Sequence, residues 1–279
     1  MLANSAETLP RGHFLIEPYL FDVHSRHADG FGSLTYMLYG VADRLTVGLV
    51  PVLGYNVPDR GARSSGVALG DVSVQAQYRL TQFHEGSWFP TLALMVKQTL
   101  PTGKYDRLGD RPSDGLGGGV HTTTVGINAQ SYFWLPNGRI LRARFDVQQG
   151  WSGGTRVDDV SVYGTIDGFR GRARPGSAFF ADVSLEYSVT RSWVVALDAT
   201  CSHDRNTRVT GYDTHDPADA HVTSVFRADS GSAQAFALAP ALEYSWTPNI
   251  GVLLGARVIF GNRHTPSSIT PAIAINYVH

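Results

Sequence analysis

The chain has 279 residues, a formal net charge of −1 and one cysteine, Cys201. The balanced charge gives no electrostatic reason to expect a nucleic-acid partner, and one cysteine excludes an intramolecular disulfide framework and a multi-cysteine metal site. No apolar run reaches the roughly 18 residues of a transmembrane helix. The opening, MLANSAETLPRGH, lacks a basic n-region and an apolar h-region, so we expect a mature chain with an added Met1.

Apolar and polar residues alternate along much of the chain with a period of two, which predicts strands with one apolar and one polar face. The pattern is uninterrupted in DVSVQAQYRL, residues 71–80. In chain order, the predicted strands cover residues 13–23, 33–41, 45–56, 71–80, 91–100, 123–135, 140–148, 179–189, 193–201, 235–246, 249–260 and 269–279. The few charges within them share one face, and a one-residue slip would expose each charge to lipid at a cost of about 2–4 kcal/mol.

The connections between these strands alternate between short and long. The short ones include residues 41–44, 135–139, 189–192 and 246–249, and the long ones are residues 57–68, 101–119, 150–177 and 203–232. Four tryptophans lie beside or near the short turns, as in a membrane interface: Trp88, Trp134, Trp193 and Trp246. These patterns predict an all-β fold, a transmembrane antiparallel up-and-down barrel of about 12 strands with short periplasmic turns and long extracellular loops. The location would be the bacterial outer membrane, and a soluble sandwich or barrel is the alternative.

Three segments resemble a known family: RGHFLIEPY near the start, GDVSVQAQYRL, and KQTLPTGKYD. The most specific motif consists of Lys97, Leu100, Pro101, Thr102 and Gly103, where a strand enters a long loop. The chain is similar, over essentially its whole length, to the bacterial outer-membrane channel family associated with the phenol meta-cleavage pathway.

This resemblance implies a monomeric twelve-stranded barrel that takes up hydrophobic molecules, and an N-terminal segment that obstructs the lumen. We therefore expect residues 1–11 inside the lumen and residues 12–279 as a single barrel domain. The last strand, TPAIAINYVH, alternates and carries an aromatic residue. Bacterial barrels usually present a terminal strand of this kind to their assembly machinery. This strand ends in His279, whereas most such chains end in Phe.

The predicted inward face carries both charges and apolar side chains. Its charges are Asp71, Arg79, Lys97, Arg142, Arg144, Asp146, Asp182, Glu186, Asp198, Glu243 and Arg257. The two signs are nearly balanced, which favours an interior salt-bridge network over an ion-conducting path, since a selective pore usually shows a ring of one sign. For Lys97 we expect an acidic partner. The apolar members indicate a path for a hydrophobic passenger: Val50, Val52, Met95, Phe180, Leu253 and Ile259.

Prolines within predicted strands mark places where the barrel wall is weakened, because proline has no N–H to donate to the ladder. They are Pro18, Pro51, Pro240 and Pro271. Pro51 and Pro240 are candidate positions for a lateral gate through which a hydrophobic molecule passes into outer-membrane lipid. The alternative is that these prolines bend strands at bulges.

Three other patterns carry weaker signals. One loop contains oxygen and imidazole groups that could hold a divalent cation, namely His203, Asp204, Asp213, His215, Asp216, Asp219 and His221. Acidic surface loops are, however, common in outer-membrane proteins. The glycines of residues 115–119 are not followed by the Lys-Ser/Thr of a P-loop. His121 and Thr123 have no serine nucleophile between them.

We therefore expect no metal, no cofactor and no enzymatic activity. The predicted function is an outer-membrane channel for hydrophobic or amphiphilic small molecules. The alternatives are a general diffusion pore for small hydrophilic solutes and, less favoured, an outer-membrane hydrolase.

Overall fold

A computed structural model describes residues 4–214, 226–261 and 264–279. The strands in this part of the chain are β1 (Phe14–Ser25), β2 (Ala28–Ala42), β3 (Leu45–Val50), β4 (Val52–Pro58), β5 (Ala68–Leu69), β6 (Val72–Thr81), β7 (Thr91–Leu100), β8 (Thr122–Trp134), β9 (Ile140–Ser152), β10 (Thr155–Asp158), β11 (Phe169–Arg174), β12 (Ala178–Ser188), β13 (Trp193–Asp204), β14 (Arg208–Asp213), β15 (Phe226–Asp229), β16 (Ala233–Thr247), β17 (Ile250–Phe260) and β18 (Ser268–Val278). None of the helical segments in these ranges is both long and apolar enough to cross a membrane.

The large sheet closes on itself, because β1 pairs with both β2 and β18. Around the wall the order is β1, β18, β17, β16, β13, β12, β9, β8, β7, β6, β3 and β2, and all pairings are antiparallel. β4 continues the wall position of β3, and β5 continues that of β6. Counted over the described residues, twelve strand positions form the barrel, as the sequence predicted.

The register places apolar side chains outside the barrel and polar ones inside. Leu185 and Leu197 are directly paired across β12 and β13 and are 47% and 46% exposed. Three positions back along β12, Asp182 pairs with Asp146 on β9, and both are fully buried. An apolar outer face and a buried, charged inner face are typical of a barrel that sits in lipid.

Four short strands form a second, four-stranded sheet in the described part of the extracellular loops, in the order β10, β11, β14 and β15. Val157, Phe169, Ala173 and Val209 make its small apolar core. The sequence predicted loops without strands here, and that expectation is wrong. The strands are only four to six residues long and rich in arginine, so their period-two pattern is carried by few apolar positions.

The candidate metal loop lies mostly beyond the ranges that the structure describes. His215, Asp216, Asp219 and His221 are outside them. Within the described ranges, no group of three His, Cys, Asp or Glu side chains is placed to hold a metal ion.

The barrel orientation predicts a strong effect of charge on its outer face. We expect Leu197→Arg to lower the free energy of unfolding by about 2–4 kcal/mol, because the guanidinium would face hydrocarbon. The measurement is reversible unfolding in lipid bilayers, followed by tryptophan fluorescence. Leu197→Phe is the control and should stay near wild type. If Leu197→Arg were as stable as the control, the outer face would not contact lipid.

Candidate functional site

Residues 4–11 of the N-terminal segment form hydrogen bonds with side chains of the barrel strands and of a short turn. The Arg11 N–H donates to Asp43 Oδ1 at 3.1 Å, next to a short turn. The Leu9 N–H donates to Thr46 Oγ1 at 2.8 Å. Farther along the lumen, the Asn4 N–H donates to a carboxylate oxygen of Asp146. Ala6 of this segment has no exposed surface.

Glu7 is the charged anchor of this segment. Its carboxylate forms an ion pair with Arg79 at 3.0 Å and accepts a hydrogen bond from Thr91 Oγ1 at 3.1 Å. The Gln77 side-chain amide donates to the carbonyl oxygens of Ser5 and Glu7 at 2.9 and 3.0 Å. The sequence prediction did not include Glu7 among the charged residues of the lumen, because it precedes the first strand and has no periodic context.

The predicted lumen charges separate into groups with different neighbours. Glu186 forms ion pairs with Arg142 and Arg144, and its side chain is 3% exposed. Asp146, Asp182 and Asp198 are fully buried on the neighbouring strands β9, β12 and β13. Together these residues form a continuous charged region on one side of the lumen.

Three other predicted lumen charges, Asp71, Glu243 and Lys97, have neighbours outside this region. Asp71 accepts hydrogen bonds from the N–H groups of Gly103 and Gly118, at 3.0 and 2.7 Å. Glu243 accepts from the Asn276 amide at 3.2 Å. For Lys97, no acidic partner lies within ion-pairing distance in the part of the chain that the structure describes. The acidic partner that the sequence predicted for Lys97 is absent from these residues. The residues paired with Lys97 on the two neighbouring strands are Gln75 and Thr124, which carry no charge.

The Leu-Pro-Thr-Gly motif ties a long extracellular loop, residues 101–121, to the start of β6. Thr102 Oγ1 donates to the Gly70 carbonyl at 2.8 Å and accepts from the Val72 N–H at 2.9 Å. A Cβ at Gly103 would lie 2.8 Å from the Gly117 backbone, so the close approach of the two segments requires glycine. The glycine-rich residues 115–119 thus serve loop packing.

The same loop folds onto the inner face of β4. The Asn56 amide donates to the Ser113 carbonyl at 3.0 Å. Asp114 accepts from the Ser65 N–H at 2.7 Å, and this hydrogen bond lowers the pKa of the Asp114 carboxyl. Leu116 packs against Gly54. The loop therefore covers part of the extracellular mouth.

An apolar cavity of about 380 Å³ lies in the lumen, on the side formed by β1, β2 and β16–β18. Leu253 and Ile259 from the predicted apolar path line it, together with Tyr19, Phe21, Val23, Leu34, Tyr36, Ala239, Pro240, Ala241, Gly255, Ala256, Arg257, Ser268, Thr270 and Ala272. The other predicted path residues lie elsewhere on the wall, with Val50 and Met95 buried and Val52 and Phe180 half-buried.

A pair of tyrosines separates this cavity from a polar one. The rings of Tyr19 and Tyr36 meet edge to face with centroids 6.1 Å apart, and both residues line both cavities. The second cavity, about 350 Å³, is lined by the N-terminal segment and by polar residues such as Arg142 and Glu243. The aromatic lining was not predicted. The alternation in EPYLFDV of the first strand could have revealed this lining, because it puts Tyr19 and Phe21 on the same face as Glu17.

The wall beside the apolar cavity is interrupted at Pro240. The β16–β17 ladder pairs Leu238 with Val258 and next pairs Ala241 with Gly255, so Pro240 and Ala256 have no registered partner across this ladder. The alternation along β16 and β17 assigns Pro240 and Ala256 to the outer face of the wall, yet both residues line the cavity.

Pro51 also breaks a wall strand. It separates β3 from β4, which pair with β6 and β5 respectively. Pro51 is not among the residues that line the apolar cavity.

Comparison with known proteins assigns the chain to a family. Residues 3–275 match the family described as "Putative MetA-pathway of phenol degradation". The chain belongs to this family, as the sequence motifs indicated. No curated protein matches the chain.

Solved structures show the same fold. One is an outer membrane channel from Pseudomonas putida F1, with 14% identity, full coverage of both chains and a TM-score of 0.72. Another is the β domain of the Bordetella autotransporter BrkA, with 12% identity, coverage of 96% of this chain and 100% of that chain, and a TM-score of 0.52. The chain therefore has the fold of outer-membrane β-barrels.

The buried charges of this family member predict a stability effect. Glu186→Gln should lower the free energy of unfolding by about 3 kcal/mol, because Arg142 and Arg144 would keep their charges without the carboxylate. Glu243→Gln is the matched control, since Glu243 accepts a hydrogen bond from an amide, and its loss should cost about 1 kcal/mol or less. Urea titration in lipid bilayers measures both variants. Equal stability of the two would show that the Glu186 pairs contribute nothing.

Proposed function

We propose that this barrel takes up hydrophobic or amphiphilic small molecules across the outer membrane. The observation that carries the proposal is the apolar cavity, which Tyr19 and Tyr36 separate from the polar cavity. Burial of apolar surface contributes about 25 cal/mol per Å², so such a lining favours an apolar guest over a hydrated solute. The description of the family, which refers to phenol degradation, agrees with a guest of this kind. A catalytic role is not part of the proposal.

The N-terminal segment, residues 1–11, is proposed to act as a plug within the barrel domain of residues 12–279. Its support is the set of contacts from Arg11 near the periplasmic end to Asn4 beside Asp146. The Glu7–Arg79 ion pair and the amide of Gln77 hold its middle. A lumen crossed by such a segment has little room for free diffusion of hydrated solutes, which argues against a general diffusion pore.

The guest is proposed to leave sideways, between β16 and β17 at Pro240. The polar cavity beyond the tyrosine pair would offer an apolar guest no gain in burial. The interrupted ladder borders the apolar cavity directly, and the residues around it are small: Ala239, Ala241, Gly255 and Ala256. Outer-membrane lipid would then receive the guest. Of the two candidate gates, Pro240 is favoured over Pro51 because it lines the cavity.

Assembly is proposed to give a monomer. The barrel assembly machinery would recognise the final strand, β18, which completes the wall by pairing with β1. Its outward residues include Ile273, Ile275 and Tyr277, which are 40%, 50% and 39% exposed.

If the N-terminal segment is a plug, one added methyl group that displaces it from the wall should change the channel conductance. A Cβ at Gly40 would overlap the carbonyl oxygens of Pro10 and Leu9, so Gly40→Ala should displace the segment from the wall. Single-channel conductance in planar bilayers should rise several-fold, as it should when residues 2–10 are deleted. Gly48→Ala is the control, because its Cβ would mainly meet the flexible end of Leu38. Unchanged conductance in both the deletion and Gly40→Ala, with the barrel folded, would contradict the plug.

The lateral exit predicts that a crosslink across the interrupted ladder slows uptake. Leu238→Cys with Val258→Cys, in a Cys201→Ser background, places two thiols at a directly paired position beside Pro240. Oxidation should reduce uptake of toluene into lipid-filled proteoliposomes, and reduction should restore it. The control is Val195→Cys with Leu242→Cys, at a directly paired position of the β13–β16 ladder. Equal uptake by the two crosslinked barrels would rule out exit at Pro240 and leave uptake itself in place.

A further inference from the structure

We propose that the apolar cavity is a binding site for small hydrophobic carboxylates, with Arg257 as the group that holds the carboxylate. This inference rests on the proposed uptake function and names the class of substrate. It follows from one juxtaposition: an arginine with no ion-pair partner among the described residues lines a cavity whose other lining is apolar or hydroxylic.

Arg257 differs from the other arginines of the membrane-spanning wall. Arg79 contacts Glu7, and Arg142 and Arg144 contact Glu186. Within residues 4–214, 226–261 and 264–279, no carboxylate lies within ion-pairing distance of Arg257. Its buried Nε likewise has no hydrogen-bond partner in those ranges. The negative charge that acts on Arg257 is that of Asp182, from a longer distance.

A cation in such surroundings carries a free-energy cost, because burial removes water and no carboxylate of the described residues lies within ion-pairing distance to replace it. The barrel could avoid this cost with an apolar residue at the same position, as it does at Leu253 and Ile259 on the same strand. The cost is offset when an anion enters the cavity. A guanidinium presents several N–H donors in one plane, which match the two oxygens of a carboxylate.

The rest of the cavity defines the remainder of the guest. Phe21, Val23, Leu34 and Ile259 offer apolar surface for a ring or a short alkyl chain, and the volume of about 380 Å³ suits a small molecule. Ser268 and Thr270 add hydroxyl groups near the extracellular end of β18. The combination of one cation with a mainly apolar wall selects an aromatic or short aliphatic monocarboxylate over a dianion or a sugar.

The test compares two guests that share a ring and differ in charge. Binding of benzoate and of toluene is measured at pH 7 with the full-length barrel in lipid nanodiscs, by isothermal titration. In Arg257→Met, benzoate affinity should fall by about tenfold or more, since removal of one partner of a buried charge pair usually costs at least that much. Toluene affinity should change less than about twofold, because methionine preserves the apolar volume. Arg257→Lys should retain part of the benzoate affinity.

Lys97→Met is the matched control, because Lys97 is a second wall cation without an ion pair in the described ranges but does not line this cavity. It should leave both affinities unchanged. The inference is overturned if Arg257→Met binds benzoate as wild type does, if it loses both guests equally, or if Lys97→Met weakens benzoate to the same degree. A wild-type barrel that binds toluene but not benzoate would also overturn it, while the uptake proposal stands. Binding of neither guest would refute both.

Discussion

Hydrocarbon offers backbone N–H and C=O groups no hydrogen-bond partner, and each unpaired group there costs several kcal/mol. A sheet can meet this demand only by closing, which is why β1 must pair with both β2 and β18. Closure creates an outside that faces lipid and an inside that is shielded from it. Strand alternation then assigns each side chain to one of the two. Leu185 and Leu197 face outward, whereas Asp182 and Asp198 are buried.

Closure also concentrates charge on a buried inner face, where unpaired charges are costly. The barrel meets this cost in two ways. Glu186 lies between Arg142 and Arg144, so one carboxylate serves two neighbouring cations. Arg79, on the other side, is neutralised by Glu7 of the N-terminal segment, which ties the segment to the wall. The polar half of the lumen and the N-terminal segment therefore depend on each other.

The apolar half follows a different logic. Tyr19 and Tyr36 divide it from the polar cavity, and the wall beside it contains Pro240, which cannot donate to the ladder. An interruption in a membrane wall is tolerated where small residues and a cavity adjoin it, as Gly255 and Ala256 do here. The interruption in the ladder thus lies directly beside the apolar cavity. The long loops act at the other end, where the Leu-Pro-Thr-Gly motif ties residues 101–121 to β6 and lets Leu116 reach β4.

The sequence by itself determined the barrel, because the alternation of period two is local and repeats in twelve segments, and because short and long connections alternate between them. It also assigned the inward charges, including Arg257, since the face of a residue depends only on its place in the alternation. It did not reveal the small sheet of β10, β11, β14 and β15, whose short arginine-rich strands carry too weak a pattern. It predicted an acid beside Lys97 that the described structure does not place there, and it missed Glu7 as the partner of Arg79. Which charges meet across the lumen, which apolar residues share one cavity, and which proline borders it were decided only by the tertiary structure, because these contacts join strands far apart in sequence through barrel closure and register.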